Sequence, residues 1–501
     1  MKYDDVYNAF NKCAKARINW ETLYSDAYQY TLPQRDTFHY KTDGAENDNK
    51  EIFDSTPLDC LNKFTSNIQS SLIPPSQKWI ALSPSYKIPD EERQDAQIAL
   101  DKIKDILFYH LHNSDFDMEA SPAIQELGFG TGCLMIQRGT VLNPFQIKAI
   151  PLPELYIEKV GNGKFSNTFR KHQVKYDNIK DFWNDATLPK DIDKDKDATL
   201  IEYIKKNGKK YDYTVIDVDK KAVIVSRKTR YNPFIIFRWS VVAGEVYGRG
   251  PVLQALPDIK SLNKTKELIL KNASLAVTGV YLVDEDNAPN PKNVKLVPGA
   301  MIPCTLGPNG APIIPLENPA NFNVGDIIIK DLRQSIRDMM FADALGPVDM
   351  PVKSATEISY RQQNLAKQIG SAYGRLNNEL VKAVVNNCLI ILDELRLIDL
   401  KDVTIDDGVF SVDIKSPLAM AQQEEEVNNI LRFVESITGM FGPQVALAIL
   451  NPVVIERLSL AMGIDQSIVK NAAEIQQILE VLAQGMQQQQ AAQVPQEAPV
   501  V

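Results

Sequence analysis

One stretch, Ser354 to Ile398, constrains this chain more than any other. Ser354-Ala355-Thr356-Glu357 has the form of a capping box. In such a box a hydroxyl at the N-cap and a carboxylate three residues on satisfy two orphan backbone N–H groups. Apolar residues then recur at helical spacing: Ile358, Leu365, Ile369, Tyr373, Leu376, Leu380, Val384, Cys388, Ile391 and Leu395. The spacing predicts a helix of roughly forty-five residues, about 65 Å long at the usual rise. Globular helices average about a dozen residues. A rod of this length reads as a structural spine for more than one part of the protein.

The chain has 501 residues, enough for two to four structural units. It is 44% hydrophobic and 24% charged, the composition of a folded soluble protein. A net charge of −9 argues against tight, general binding of DNA, which needs cations to neutralise phosphates. Passage of DNA past weakly repelling walls stays open. The five cysteines (Cys13, Cys60, Cys133, Cys304, Cys388) form no CxxC pair and read as reduced thiols in core positions. Met1-Lys2-Tyr3-Asp4-Asp5 starts no apolar signal segment. The longest apolar run, Leu275 to Val283, is far short of a membrane span. The expectation is a soluble protein made in the cytoplasm, with no membrane partner.

Along the chain, helices are expected at Asp4–Leu32, Thr56–Ser71 with Pro57 in its first turn, Pro89–His112 with Ile98, Leu100, Ile103, Ile106 and Leu107 inward, and Pro122–Phe129. Short strands are expected at Trp79–Leu82 and Cys133–Arg138. From Ile147 to Trp239 the period shifts towards two, predicting strands Leu155–Lys159, Leu200–Lys206, Tyr211–Val218, Ala222–Arg227 and Phe234–Trp239. Asn207-Gly208 between two of these is a hairpin signal. Helix returns at Pro251–Ala276, followed by a buried-strand pattern at Val277–Val283. A Pro/Gly/Asn-dense excursion with short β pieces covers Asp284–Pro319, and Ile327–Met340 is helical. Ala342–Lys353 reads as a loop carrying Gly346, Pro347 and Pro351. After the long helix come a β pattern at Val409–Ile414 and helices at Met420–Ile437, Pro443–Leu450 and Val453–Met462. The Gln-rich end beyond Gln476 has the composition of a segment that frays. The fold class is α+β, mainly helical.

Chemistry finds little support. Asp191, Asp193, Asp195 and Asp197 alternate, with Glu202 at the twelfth position, but Lys196 stands where a calcium loop needs Gly. Gly128-Phe129-Gly130-Thr131-Gly132 follows a helix and precedes a strand, the reverse of the dinucleotide fingerprint, so it reads as tight packing at a turn. No P-loop, nucleophile elbow or paired acid/base carboxylates appear, and the four histidines are not spaced for zinc. The expectation is no enzyme, no metal and no cofactor. Lys260, Lys264 and Lys271 fall on one side of the Pro251–Ala276 helix. They either approach DNA phosphates or form a salt-bridged face near Glu267.

Several segments in order resemble the portal, or head-to-tail connector, family of short-tailed bacteriophages. Tyr30-Thr31-Leu32-Pro33 is similar to the end of that family's first helix. Ser55-Thr56-Pro57 through Leu72-Ile73-Pro74 to Trp79 is similar to its next helix and strand, and Glu126-Leu127-Gly128 through Leu134-Met135-Ile136 to its helix–glycine–strand junction. The most specific match is Gly244-Glu245-Val246-Tyr247-Gly248-Arg249-Gly250, followed by Leu256-Pro257-Asp258-Ile259-Lys260-Ser261-Leu262-Asn263. Ser354 to Tyr360 resembles the start of the family's longest helix, and Met462-Gly463-Ile464-Asp465 also fits.

The resemblance implies a homo-oligomeric ring, usually a dodecamer, at one capsid vertex of the virion. Double-stranded DNA enters and later leaves through its channel. Implied partners are the terminase large subunit, which brings the ATPase, a tail adaptor, and the major capsid and scaffold proteins. Mapped on this chain, residues 1–250 form a wing and 251–340 the stem helices, with a clip at about 277–326. Residues 341–354 form a tunnel loop, 355–400 a long wing helix, 401–475 the wing and crown helices, and 476–501 a flexible tail. The tunnel loop comprises Ala344, Leu345, Gly346, Pro347, Val348, Asp349, Met350, Pro351, Val352 and Lys353, with Lys260, Lys264 and Lys271 as candidate channel-facing stem residues. The alternative from the residues alone is a non-portal structural adaptor or scaffold of a virion that binds partners through its long helices. A nucleic-acid enzyme with an unrecognised site is the third reading.

Overall fold

In a computed structural model of the chain, the described residues are 2–33, 52–84, 89, 93–159, 165–189, 192–278, 281–284, 301–304, 313–315, 322–343, 369–399, 410–415 and most of 430–440. Helix α1 (Tyr3–Thr31) opens with Asp4 and Asp5, whose charges suit the positive end of the helix dipole. Its apolar stripe serves two cores. Val6, Phe10 and Cys13 pack with Tyr156, Phe169, Ile201, Tyr203 and Ile216. Tyr24, Ala27 and Tyr28 join the main core. Between these turns Arg17 is buried, donating to the carbonyls of Leu155 (2.5 Å) and Leu152 (2.8 Å) under the Tyr156 ring. A buried guanidinium is tolerated because carbonyls take its N–H groups and an aromatic face takes its charge.

Helix α2 (Thr56–Leu72) starts with Pro57 in its first turn, as expected. Strand β1 (Ile80–Pro84) pairs antiparallel with residues 410–414, joining chain segments far apart in sequence. Helix α3 (Arg93–His112) buries Leu100, Ile103, Leu107, Phe108 and Leu111. Ile98 does not face inward as predicted; it is 42% exposed. Helix α4 (Phe116–Leu127) starts six residues before the Pro122 predicted to begin it. Asp115 stands at its N-cap and accepts from Glu119 N (2.9 Å), and Pro122 lies on the exposed side.

Strands β2 (Thr131–Arg138) and β3 (Phe145–Ala149) pair antiparallel, and β2 also pairs with residues 234–238, so β2 is central and almost wholly buried. A second sheet is a five-stranded antiparallel meander. It comprises β4 (Leu155–Lys159), β5 (Phe165–Lys175), β6 (Asp197–Asn207), β7 (Lys210–Asp217) and β8 (Ala222–Thr229), with a short helix α5 (Ile179–Phe182) between β5 and β6. The Asn207-Gly208 hairpin is present, with Gly208 at φ 61. Strand β5 escapes a reading by apolar alternation because its buried positions include Thr168 and Arg170. Arg170 is satisfied by Glu154 (2.9 Å) and Glu202 (3.1 Å), so a charged residue takes an inward place that patterning reserves for apolar ones. Glu202 is fully buried and also accepts from Tyr213 (2.5 Å), so it belongs to the sheet core and not to a loop with Asp193 and Asp195.

Strand β9 (Phe234–Arg238) completes the first sheet in the order β3-β2-β9. Helix α6 (Pro251–Thr278) follows. The strand predicted from Val277 is corrected: the helix runs through Val277, which is 86% exposed. The run is apolar enough for either state, and periodicity over so few residues does not separate them. Strands β10 (Tyr281–Asp284), β11 (Met301–Cys304) and β12 (Ile313–Pro315) form a small sheet of order β11-β10-β12. Helix α7 (Phe322–Met339) returns beside α6, with Ile269 seated over Gly325.

The described part of the long helix consists of α8 (Gly370–Leu376), one π turn (Asn377–Val381) and α9 (Lys382–Glu394). Its end at Glu394 is earlier than the Ile398 to Leu400 expected. Arg396 adopts φ 58, its N–H reaches Asp393 O (3.0 Å) and Leu397 N–H reaches Leu392 O (2.9 Å). This is a Schellman closure without glycine. Strand β13 (Phe410–Ile414) is the partner of β1. Helical residues within 430–440 agree with the helix expected there, while the helices expected at Pro443–Leu450 and Val453–Met462 and the tail lie outside the described residues.

Candidate channel-facing site

The start of α6 is set by two interlocked turns. Gly128-Phe129-Gly130 lies against Gly248-Arg249-Gly250. Val252 N–H donates to Gly128 O (3.0 Å), Gly250 N–H to Phe129 O (3.3 Å) and Gly248 N–H to Thr131 Oγ1 (2.8 Å). A Cβ on Gly248 would stand 2.1 Å from Gly130 O, and one on Gly250 2.1 Å from Gly128 O. The glycine run is packing at a turn, as its order between helix and strand implies, and its partner is the Gly244–Gly250 segment. Tyr247 from that segment is buried, donates to Leu155 O (3.5 Å) and faces Arg17 (5.6 Å). Burial pushes its hydroxyl up to about 12. Four cysteine thiols, Cys13, Cys60, Cys133 and Cys388, are also buried; burial raises Cys13 to about 11 and Cys60 to about 12, which makes them poor nucleophiles.

Helices α6 and α7 form an antiparallel pair. Ser335 Oγ donates to Asp258 Oδ2 (2.8 Å) across it, and Phe53 N–H to Asn263 Oδ1 (2.7 Å) holds it to the body. The three predicted lysines lie on the exposed side of α6, and each has an acidic partner. Lys260 reaches Asp26 of α1 (2.5 Å), while Lys264 (2.9 Å) and Lys271 (2.5 Å) share Glu267. Hydrogen bonds from Lys271 and Lys264 hold the Glu267 carboxyl below its ordinary value. Within the single chain the stripe is a salt-bridged face. Such a face presents little net positive charge to a passing polyanion.

Residues 344–353, the candidate tunnel loop, lie outside the described residues, but the chain leading into them is firmly held. At the end of α7, Phe341 has φ 54, its N–H donates to Asp338 O (3.2 Å), and Ala342 N–H donates to Arg337 O (3.0 Å). This is a second Schellman closure on a non-glycine residue. Asn67 of α2 donates to Phe341 O (3.0 Å), and Trp239 packs on the Phe341 ring at 5.7 Å. Asp343 is thus delivered from a fixed base.

Two ion pairs, unmarked in the sequence, lock the helices around this base. Asp54 accepts from Arg333 of α7 (2.6 and 3.2 Å) and from Thr56 N–H (3.0 Å). Arg238 on β9 meets Glu379 (2.5 and 3.2 Å), which also accepts from Arg238 N–H (3.0 Å). Glu379 sits in the π turn, a device that re-aims one residue within a helix. Neither pair has a motif, since the partners are separated by 279 and 141 residues.

The profile of the family described as "Bacteriophage head to tail connecting protein" matches residues 4–469. The chain belongs to that family. Relatives of this connector include the "Probable portal protein" of Bordetella phage BPP-1, 21% identical over 85% of this chain and 81% of the relative. The "Portal protein" of Escherichia phage T7 is 20% identical over 78% and 74%, and that of Enterobacteria phage T3 is 20% identical over the same shares. Among solved structures, the Epstein-Barr portal covers 74% of this chain and 76% of its own, with 13% identity and a TM-score of 0.18, a likeness too slight to carry weight. The resemblance read from Gly244–Gly250 and the flanking segments is borne out by the family match. Among the described residues, no helix is long and apolar enough to cross a membrane.

Proposed function

We propose that this connector works as a phage portal: copies close into a ring at one capsid vertex, and double-stranded DNA is packaged and ejected through the axial opening. The match to the head-to-tail connecting family across residues 4–469 carries this reading. The architecture fits it. Leu268 and Leu270 flank the inward Ile269 on opposite sides of α6, and both are exposed, as are Val277 and Ile327. Apolar surface on both flanks of a lone helix pair suits a heterologous contact, repeated with a neighbour on each side until the ring closes. In this reading α6 and α7 form the stem. The small sheet of β10, β11 and β12 belongs to the clip, where the terminase large subunit docks during packaging and the tail adaptor afterwards. The major capsid and scaffold proteins meet the wing. Residues 344–353 project towards the DNA from the base at Phe341, and the chain performs no chemistry on what passes.

The test is imaging of virions assembled with this protein, reconstructed without imposed icosahedral symmetry. The expected result is density for the connector at a single vertex, coaxial with the tail. Density at all vertices, or in the shell alone, contradicts the reading.

A further inference from the structure

The chain as a whole is acidic, yet residues 164–230 carry 17 Lys and Arg against 11 Asp and Glu, which leaves 38 against 53 for the remainder. The excess gathers at one end of the five-stranded sheet. There the β6–β7 hairpin and the end of β8 bring together Lys205, Lys206, Lys209, Lys210 and Lys228. All five are exposed, and among the described residues none has an ion-pair partner. Behind the hairpin lies a cleft of about 540 Å³ between the sheet and α9, with Lys206, Lys209 and Arg230 on its rim and Phe165, Tyr211 and Ile390 among its walls. Of the carboxylates nearby, Asp393 holds Arg230 (2.7 Å), Glu379 holds Arg238, and Asp212 on β7 accepts from Asn207 (2.9 Å). The site is a cationic mouth over a partly apolar floor, where five lysines outnumber Asp212, the one carboxylate set between Lys205 and Lys228 in the strand register.

We propose that this cleft and its lysine rim are one half of the contact between neighbouring copies in the ring, and that it receives carboxylate side chains from the adjacent copy. The inference rests on the ring reading above. Charge decides the occupant. A two-fold contact between like copies sets a patch against itself, and here that opposes lysine to lysine. A head-to-tail contact sets the patch against a different part of the same chain, and the remainder of this chain carries the acidic excess. The size of the cleft agrees, because it admits one or two side chains and no nucleic-acid duplex enters it.

The test uses rings of the full-length chain formed from equal amounts of 15N-labelled and unlabelled protein. A zero-length carbodiimide reagent joins amines to carboxylates in contact, and mass spectrometry separates links within a chain from mixed-isotope links between chains. The expected result is mixed-isotope links from Lys206 or Lys209 to Asp or Glu. In parallel, the double variant Lys206→Glu/Lys209→Glu is expected to need about tenfold or more protein for half-assembly at low salt. The difference should shrink at high salt as charges are screened, with the thermal unfolding of the chain unchanged. Rings that give no mixed-isotope link from these lysines, and that assemble alike with or without the reversal, overturn the inference. So does a variant that assembles normally but loses binding of a short DNA duplex, which makes the patch a phosphate surface. Absence of rings in the unmodified protein, by contrast, removes the ring reading itself and this contact with it.

Discussion

Gly248 lies so close to Gly130 that a single added methyl group would stand 2.1 Å from the Gly130 carbonyl oxygen, with Gly130 itself at φ 124. The obstruction is backbone, which does not swing aside as a flexible side chain does. Gly248→Ala is therefore expected to lower stability by about 3 kcal/mol, the upper range for overpacking a tight site. Gly208→Ala is the control: its φ is 61 but nothing lies within 4 Å, so only the left-handed backbone cost of roughly 1–2 kcal/mol remains. Urea unfolding of the two variants measures the difference, and equal losses would show that the interlocked turns do not hold the start of α6.

Asp54 predicts a pH dependence. Burial alone raises its carboxyl, but hydrogen bonds from Thr56 and Arg333 outweigh that and leave it below its ordinary value. A depressed folded value means that the stabilisation is complete above the unfolded value of about 3.9 and is lost as pH falls through the lower folded one. Asp54→Asn is expected to cost about 2 kcal/mol near neutral pH, the scale of hydrogen bonds to a charged group. Unfolding followed between neutrality and strong acid should show the gap between variant and parent closing only in acid. A gap constant across that range would mean that the Arg333 contact contributes nothing through charge.

The contact between Arg238 and Glu379 is the third test. Arg238 is 6% exposed, so Glu379→Ala leaves a buried guanidinium without its partner, and the expected loss is about 3 kcal/mol. Replacing both residues with apolar ones of similar volume should recover much of that. A double variant as unstable as the single one would locate the loss elsewhere, in the π turn itself.

Deletion of residues 344–353 should leave ring formation and thermal stability intact, because the cut begins beyond Ala342 and Asp343 and spares the closure at Phe341. Genome retention or packaging is expected to fail. Full packaging by the deletion variant would show that this loop has no part in handling DNA.

The elements legible in the sequence are those with strong local signals. Pro57 marks the start of α2, Asn207-Gly208 marks the β6–β7 turn, and the alternation over Leu155–Lys159 gives β4 at its observed bounds. Strand β5 is hidden because Arg170 and Thr168 occupy buried places, and Arg170 is satisfied by carboxylates from outside the strand. The end at Arg396 is hidden because the helix stops on a left-handed residue that is not glycine, so the usual stop signal is absent; α7 also stops on such a residue, Phe341, but its end at Met339 is read to within one residue from the Gly- and Pro-bearing loop that follows. At the candidate site, the lysines of α6 are visible as a stripe, but their neutralisation is only partly so. Glu267 lies within reach along the helix, whereas Asp26 is 234 residues from Lys260.

Cryo-electron microscopy of the purified full-length protein tests the central claim most directly. The account predicts closed rings of identical subunits around an axial opening wide enough to pass a DNA duplex, with α6 and α7 lining it. Monomers or open rods at high protein concentration, or a closed disc with no axial opening, would contradict it.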